Sequence, residues 1–330
     1  MKQTKHMRVH ANDGISKGAA ARLQEEGFTI TTEHVPQDNL IVYLNKEGVE
    51  VLLVRSATKV RKDLMDACPG LKLIGRGGVG LDNIDTAHAR AKNIPVINTP
   101  ASSSISVAEL VMAHLTGMMR NLHLANRTMP AEGRTRFKEL KKEYEKGIEV
   151  RGKTLGIIGF GRIGQWTARY ALGAGMKVIY ADNHATAESI ELEVGGHAIR
   201  VGVKLVSLDD LLAHSDAITL HVPAQANGQP LVGQEELKKV KPGVVIVNTA
   251  RGGSIDESAL LEALNDGRVK AAALDVFTNE PEPRADLLSH PRISLTPHIG
   301  AATAEAQGRV GDELCDLIIA FRDKVTADQA

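Results

Sequence analysis

The chain has 330 residues, of which 43% are hydrophobic, so it is long enough for about two domains with cores of their own. Basic and acidic residues each number 40, and the formal net charge of +0 argues against nucleic acid or an anionic membrane surface as a partner. The sequence has no C-x-x-C pair, no zinc-type histidine spacing, no signal-peptide pattern and no apolar run of about 18 residues. We therefore expect a cytoplasmic protein without a metal site, a nucleic-acid partner or a membrane span.

Residues 7–100 alternate short apolar stretches with helical stretches, which is typical of an α/β domain with a parallel sheet. Helices are predicted at 16–26 and 82–92, with Ser16 and Asp82 as N-caps and Gly27 as the C-cap of the first. Strands are predicted at 7–10, 28–32, 51–54, 73–75 and 95–97.

One long helix is predicted over residues 103–124, where apolar side chains and His114 recur on one face. The segment 133–147 is highly charged. It fits a solvent-exposed helix, and it also fits an arm that packs against a partner subunit.

The most informative stretch is residues 154–182. A short apolar strand at 154–160 leads into Gly159, Gly161 and Gly164, in the spacing G-x-G-x-x-G, and a helical pattern follows. The first glycine allows a tight turn, the second lets the backbone approach a pyrophosphate, and the third lets the helix pack on the strand. The helix N-terminus adds N–H donors and a positive dipole, so the stretch predicts dinucleotide binding.

The second strand of this unit, at 178–181, ends at Asp182. A carboxylate there accepts hydrogen bonds from the adenine-ribose hydroxyls and repels a 2′-phosphate. No arginine follows in residues 183–186, so the sequence favours NAD over NADP.

Further strands are predicted at 217–222, 244–248, 271–276 and 293–296, with a helix at 256–266 and a last helix at 302–322. We therefore predict two Rossmann-like or flavodoxin-like doubly wound parallel-sheet domains with a cleft between them. The predicted domains are a substrate-binding domain of residues 1–101 plus 302–330 and an NAD-binding domain of residues 102–301.

Three polar clusters follow predicted strands, where open parallel sheets bind their ligands. They contain Arg251, then Asp275 with Glu280, then His298. Oxidation of a secondary alcohol needs a base for the hydroxyl proton as hydride leaves carbon, and imidazole ionises in the right range. Glu280 on the other ring nitrogen would fix the tautomer, and Arg251 would hold the substrate carboxylate or polarise the 2-oxygen. Hydride transfer between NAD and a 2-hydroxy acid is the predicted chemistry.

Nearly the whole chain resembles the D-isomer-specific 2-hydroxyacid dehydrogenases, and within them the members that act on 3-phospho-D-glycerate. The blocks that carry the resemblance are VRSATKV (54–60), GRGGVGLDNID (75–85), NTP (98–100), GKTLGIIGFGRIG (152–164), NTARGG (248–253), LDVFTNEP (274–281) and TPHIGAAT (296–303). The match ends with the last helix, so we expect the C-terminal regulatory domains of longer relatives to be absent.

The resemblance implies a catalytic set of Arg251, Glu280 and His298. It also implies contacts with each part of NAD. The pyrophosphate is bound by Gly159, Gly161, Arg162, Ile163 and Gly164, the ribose by Asp182, and the adenosine side by Val222 and Pro223. The residues around the nicotinamide are Thr249, Ala250, Arg251, Asp275, His298 and Gly300, with Asp275 on the carboxamide. It implies that Gly77, Gly78 and Val79 bind the substrate carboxylate, and that Arg55 and Arg76 bind a phosphate.

The activity implied is NAD-dependent oxidation of 3-phospho-D-glycerate to 3-phosphohydroxypyruvate, the first step of serine synthesis, in a homodimer. The substrate alternatives are glycerate, glyoxylate or hydroxypyruvate, D-lactate and 4-phosphoerythronate. An alternative of another class is an NAD(H)-sensing protein like the transcriptional co-repressors of the same fold.

Overall fold

The computed structural model describes residues 7–327, and the chain divides into two compact units. The first unit runs to Ser103 and resumes at Ala301, and the second comprises Ser104–Gly300. The first predicted domain includes residues 1–6 and 328–330, which lie outside the described residues. Within the described part, no helix combines the length and the apolar character that a membrane span requires.

A five-stranded parallel sheet forms the centre of the first unit, in the order β2-β1-β3-β4-β5. This is the flavodoxin-like order. Its strands are β1 (Arg8–Ala11), β2 (Thr29–Thr31), β3 (Val51–Val54), β4 (Leu73–Arg76) and β5 (Val96–Asn98). Four consecutive residues of β3 are buried, as expected for a strand covered by helices on both faces.

The helices of the first unit are α1 (Lys17–Glu25), α2 (Gln37–Glu47), α3 (Lys62–Ala67), α4 (Thr86–Ala91) and, at the end of the described chain, α13 (Ala304–Ala327). Ser16 caps α1 as predicted, since its side chain accepts a hydrogen bond from the N–H of Ala19. Gly27 follows the end of that helix at φ +86°, where a glycine is favoured. The predicted cap Asp82 is wrong, because Asp85 caps α4 by accepting from the N–H of His88.

The long helix α13 packs against α1 and completes the core of the first unit. Gly311 is required at this crossing, because a Cβ atom there would lie 2.5 Å from Ser16 Oγ and 2.7 Å from Ala19 Cβ. Across the same face, Arg22 forms an ion pair with Asp316. The final helix therefore belongs structurally with the first strands of the chain.

The second unit is built on a seven-stranded parallel sheet in the order β10-β7-β6-β11-β12-β13-β14. The direction of winding reverses between β6 and β11, which makes this the switch point at which doubly wound sheets bind ligands. The strands are β6 (Thr154–Ile158), β7 (Lys177–Ala181), β10 (Lys204–Leu205), β11 (Ala217–Leu220), β12 (Val244–Asn248), β13 (Val269–Leu274) and β14 (Ile293–Leu295). Each predicted strand is present in the two sheets, with ends shifted by no more than two residues.

The helices of the second unit are α5 (Ser104–Met119), α6 (Leu122–Glu132), α7 (Phe137–Tyr144), α8 (Arg162–Gly173), α9 (Leu208–His214), α10 (Gln234–Lys239), α11 (Glu257–Asn265) and α12 (Ala285–Ser289). The single helix predicted over 103–124 is wrong. Asn121 adopts a left-handed conformation at φ +56° and separates α5 from α6. The charged residues of α7 are exposed and Leu140 is its one buried residue, in agreement with a solvent-exposed helix.

An antiparallel hairpin that the sequence analysis missed follows Asp182. It pairs β8 (Ser189–Val194) with β9 (His197–Gly202). Gly195 and Gly196 form its two-residue turn at φ +58° and +80°, which is the glycine-rich turn that suits such hairpins.

Candidate functional site

The glycine loop between β6 and α8 has the geometry of a pyrophosphate cradle. Gly159 adopts φ +92°, and a Cβ atom there would lie 2.6 Å from the carbonyl oxygen of His221. Gly161 is the N-cap of α8, and no atom lies within 4 Å of where its Cβ would be. The first N–H groups of α8, at Arg162 and Ile163, have no partner within the helix. The loop therefore leaves open space beside free donors, which fits an anion.

The cradle glycines should respond differently to a methyl group. At Gly164, a Cβ atom would collide with the carbonyl oxygen of Gly159 and would lie 3.2 Å from Ile157 Cγ2. We expect Gly164→Ala to lower the free energy of unfolding by about 1–3 kcal/mol, because the added methyl would meet a backbone oxygen that has little room to relax.

Gly161→Ala is the matched comparison, because its Cβ would enter open space at an ordinary φ of −70°. We expect it to keep wild-type stability and to weaken NADH binding roughly tenfold or more, because the methyl would occupy the volume that the pyrophosphate needs. Urea unfolding and NADH fluorescence titration would measure the two effects. Wild-type NADH affinity in Gly161→Ala would contradict this assignment of the cradle.

Asp182 follows β7 and is tied to the cradle. Its carboxylate accepts hydrogen bonds from the N–H of Phe160 at 2.6 Å, of His184 at 2.7 Å and of Ala185 at 2.8 Å. Burial acts to raise the pKa of Asp182, but these three donors outweigh it and hold the pKa below its ordinary value. The carboxylate is therefore ionised at neutral pH and has about one acceptor position left for a ribose hydroxyl.

Val222 and Pro223 follow β11 on the other side of the switch point. The residue before them, His221, is a feature that the sequence analysis missed. Its Nε2 atom lies 3.3 Å from Thr167 Oγ1 and 3.2 Å from Thr219 Oγ1. Burial lowers the pKa of His221 to about 3, so the ring is neutral and supports the cradle without adding charge.

The loop after β12 carries Thr249, Ala250 and Arg251. It is shaped by Asn248, whose side chain accepts from the N–H of Ala250 at 3.0 Å and donates to the carbonyl of Arg251 at 2.9 Å. The Thr249 hydroxyl is buried and has no hydrogen-bond partner within residues 7–327. Because a buried hydroxyl without a partner costs free energy, Thr249 is suited to a polar ligand group.

His298 and Glu280 form the predicted pair. The Nδ1 atom of His298 lies 2.7 Å from Glu280 Oε2, and the other oxygen, Oε1, accepts from the N–H of Phe277 at 2.9 Å. The side chains of His298 and Glu280 are 47% and 35% exposed. His298 has a left-handed backbone at φ +54°, which is uncommon for residues other than glycine. The pair is thus fixed on one side and open to a substrate on the other.

A buried polar network holds the segment that carries His298. Asp275, only 1% exposed, accepts from the hydroxyl of Thr296 at 2.6 Å and from the N–H groups of Ile299 at 2.8 Å and Gly300 at 2.9 Å. His114 lies behind it, with Nε2 3.1 Å from Thr296 Oγ1. The sequence predicted a nicotinamide contact for Asp275, and that stays a prediction. Asp275 anchors the segment that carries His298 through residues 21 to 25 positions further along the chain, so this role has no local sequence pattern.

His114 completes the network on its far side. Its Nδ1 atom lies 2.9 Å from Ser294 Oγ on β14. Burial lowers the pKa of His114, and the negative charge of Asp275 only partly opposes this shift. The sequence pattern places His114 on the apolar face of its helix, and the structure shows that it also links α5 to β14.

In the first unit, the predicted anion-binding residues meet at the carboxyl ends of β3 and β4. Asp13 accepts from the N–H of Arg55 at 2.6 Å and from the N–H of Thr58 at 3.1 Å, which fixes the loop after β3. A Cβ atom on Gly77 would lie 3.6 Å from Arg55 Cγ, and one on Gly78 would collide with the guanidinium of Arg76. Val79 follows as an exposed residue. Both arginines therefore lie against the glycine loop.

The catalytic residues predicted from the sequence follow β12, β13 and β14, which are neighbours in the second sheet. Those predicted to bind the substrate's anionic groups lie in the first unit, except Arg251. No group of three or more histidine, cysteine or acidic side chains suited to a metal ion occurs in the described part of the chain.

Comparison with known proteins identifies the family. The family model "D-isomer specific 2-hydroxyacid dehydrogenase, NAD binding domain" matches residues 112–300. A hydroxypyruvate reductase of Thermotoga maritima is 46% identical over 316 residues, which cover 94% of this chain and 97% of that protein. The chain belongs to the D-isomer-specific 2-hydroxyacid dehydrogenases.

Two further comparisons bear on this dehydrogenase. A D-3-phosphoglycerate dehydrogenase of Methanocaldococcus jannaschii is 39% identical over 94% of this chain, which spans 57% of that relative's length. The crystal structure of Aquifex aeolicus D-lactate dehydrogenase complexed with NAD and lactic acid has a TM-score of 0.77 and 28% identity, and the match covers 96% of both chains. The cofactor of the dehydrogenase is NAD, as predicted.

Proposed function

We propose that this dehydrogenase interconverts 3-phospho-D-glycerate and 3-phosphohydroxypyruvate, the entry step of serine synthesis. The observation that carries the hydride-transfer chemistry is the hydrogen bond between His298 Nδ1 and Glu280 Oε2 at 2.7 Å. The observation that favours a phosphorylated substrate is the pair Arg55 and Arg76 beside the Gly77–Gly78 loop. A homodimer, implied by the resemblance, and a cytoplasmic location, expected from the sequence, accompany this proposal.

The ionised carboxylate of Glu280 only accepts hydrogen bonds, so Nδ1 of His298 carries a proton and Nε2 of the neutral ring has a free lone pair. In the oxidation direction, Nε2 takes the hydroxyl proton of the substrate while the hydride leaves the carbon that bears this hydroxyl. The bound NAD supplies the hydride acceptor. Glu280 stabilises the imidazolium that forms, and in reduction His298 returns the proton to the 2-oxygen.

Arg251 is the proposed anchor for the acid itself. It follows β12, and its Nη1 atom donates to the carbonyl of Ala250 at 2.7 Å, which orients the guanidinium. A guanidinium offers five donors in one plane, so a group held in this way can still bind a carboxylate or the 2-oxygen. Its charge would also favour the oxygen that becomes more negative as the carbonyl is reduced.

The Arg55 proposal predicts a substrate-dependent effect. We expect Arg55→Ala to lower kcat/KM for 3-phosphohydroxypyruvate by roughly tenfold to a hundredfold, which is about 1.4–2.7 kcal/mol, and to change kcat/KM for glyoxylate little. Steady-state NADH oxidation would measure both. Arg61→Ala is the matched control, because this exposed arginine lies nearby on the N-terminal side of α3. Equal losses with both substrates would argue that Arg55 does not bind phosphate.

Hydroxypyruvate is the second candidate substrate. A specific observation favours it, because the relative that is 46% identical over 97% of its length is a hydroxypyruvate reductase. A panel of 3-phosphohydroxypyruvate, hydroxypyruvate, glyoxylate and pyruvate separates the two. A preference for hydroxypyruvate would keep the chemistry of His298 and discard the phosphate assignment. No turnover with any 2-oxo acid would favour the NAD(H)-sensing alternative.

A further inference from the structure

A cavity in the second unit lies near the amino end of β13, whereas the predicted catalytic residues follow the carboxyl ends of β12, β13 and β14. It has a volume of about 330 Å³, and the polar side chains that line it are Asn121, His123, Lys270 and Arg292. From Lys270 to Asp275 along β13 is about 16 Å, at roughly 3.3 Å per residue. The cavity is therefore separate from the site proposed for hydride transfer.

Lys270 is directed by an irregularity in the sheet. Val244 pairs with Val269 and Val245 pairs with Ala271, so Lys270 is an extra residue in β13 without a partner on β12. Such bulges are uncommon between parallel strands, and they re-aim the side chain of the extra residue.

The charges around the cavity are unbalanced. The side-chain amine of Lys270 has no hydrogen-bond or ion-pair partner among residues 7–327, and burial lowers its pKa. Arg292 donates from Nη1 to the carbonyl of Leu264 at 2.7 Å, which holds a second cation at the cavity. Among the described lining residues there is no acidic side chain. Two cations therefore line one cavity, and no acidic side chain among the described lining residues balances their charge.

His123 adds a neutral donor. Neither of its ring nitrogens has a hydrogen-bond partner among the described residues, and both are buried. Burial and the charge of Arg127 lower the pKa of His123. The backbone of Gly117 lies close enough to the ring to act in the opposite direction, but no hydrogen bond of acceptable geometry joins the two. A neutral ring still has one N–H to donate, and leaving it buried and unpaired costs free energy.

We propose that this cavity binds a small oxyanion, a phosphate or carboxylate group of a free metabolite or ion, through Lys270, His123 and Arg292. An oxyanion accepts from several donors at once and supplies the missing negative charge. The inference does not rest on the proposed dehydrogenase activity, and its failure would leave that activity unaffected.

Calorimetric titration with inorganic phosphate tests the site, with malonate as the carboxylate arm and sodium chloride at matched ionic strength as the blank. We expect Lys270→Met to lose one phosphate-binding event, or to weaken it about tenfold or more, and Lys270→Arg to retain it. Lys177→Met is the matched control, because this exposed lysine also lies at the amino end of a strand of the same sheet, as the first residue of β7. Identical titrations for the wild type, Lys270→Met and Lys177→Met would overturn the proposal.

A labelling experiment on the wild-type protein tests the same site without a substitution, so it remains informative if Lys270→Met does not fold. Brief acetylation with acetic anhydride, followed by peptide mass spectrometry, reports the accessibility of each lysine amine. We expect phosphate to slow acetylation of Lys270 several-fold relative to Lys177, since a bound oxyanion covers the amine and stabilises its protonated, unreactive form. An unchanged ratio in saturating phosphate and in malonate would also overturn the proposal.

Discussion

His298→Asn should lose about 10²–10⁴-fold in kcat, because it removes the imidazole that we propose exchanges the substrate proton. Asparagine is the appropriate replacement, because it tolerates the φ of +54° that His298 adopts and a β-branched or bulky residue does not. The backbone therefore keeps its conformation while the acid–base group is removed. Stopped-flow reduction of the 2-oxo acid with NADH would measure the rate.

The control for this experiment is His214→Gln, which changes an exposed histidine on α9 of the same unit. We expect wild-type rates for this variant and wild-type NADH affinity for both variants. A His298→Asn enzyme that turns over at near wild-type rates would exclude His298 as the proton donor. A His298→Asn enzyme that also fails to bind NADH would indicate that the whole loop had moved.

Asp275→Ala should both destabilise the protein and slow it. The substitution leaves the hydroxyl of Thr296 and the N–H groups of Ile299 and Gly300 without their acceptor in a buried site. Each such loss costs about 1–3 kcal/mol, and because the groups share one loop we expect a combined loss of about 2–4 kcal/mol in the free energy of unfolding. Turnover should fall roughly tenfold to a hundredfold, since the loop that carries His298 loses its anchor.

Asp286→Ala is the matched control for stability. Its carboxylate is exposed and paired with Arg284 on the surface, so we expect little change in the free energy of unfolding. The free energy of unfolding of Asp275→Asn should lie between those of Asp275→Ala and Asp286→Ala, because asparagine retains an acceptor oxygen but loses the charge. If urea denaturation gave Asp275→Ala and Asp286→Ala the same stability, the anchoring role of Asp275 would be wrong.

The sequence was most informative where a pattern is local. The glycines from Gly159 to Gly164 predicted the turn, the helix start and the strand before them, because each conformation depends on adjacent residues. The pair of Glu280 and His298 was also predicted, because both residues follow strands whose order could be inferred from alternation with helices.

Prediction failed where one residue overrides the periodicity around it. Apolar residues continue on both sides of Asn121, so the pattern gives no reason to end the helix, yet its left-handed backbone does so. The hairpin after Asp182 had a usable signal in Gly195–Gly196. Its strands are largely exposed, however, and lack the apolar run that identified the others.

The buried network could not have been predicted from one sequence. His114 contacts Ser294 and Thr296, which are 180 and 182 residues away along the chain. Nothing in the local pattern distinguishes it from an apolar residue on the same helix face. The cavity beside Lys270 is similar, because the register shift between β12 and β13 that leaves Lys270 without a partner on β12 has no signal in the local sequence.

The packing of α13 on α1 has a consequence for the order of events during synthesis. The core of the first unit needs Leu314 and Ile318 beside Leu23, yet the whole second unit is translated between them. At about 5–20 residues per second, the ribosome takes roughly 10–40 s to add that insert. The second unit can therefore fold before α13 has been synthesised. The first unit, whose strands are made first, completes its core only after the second unit has been made.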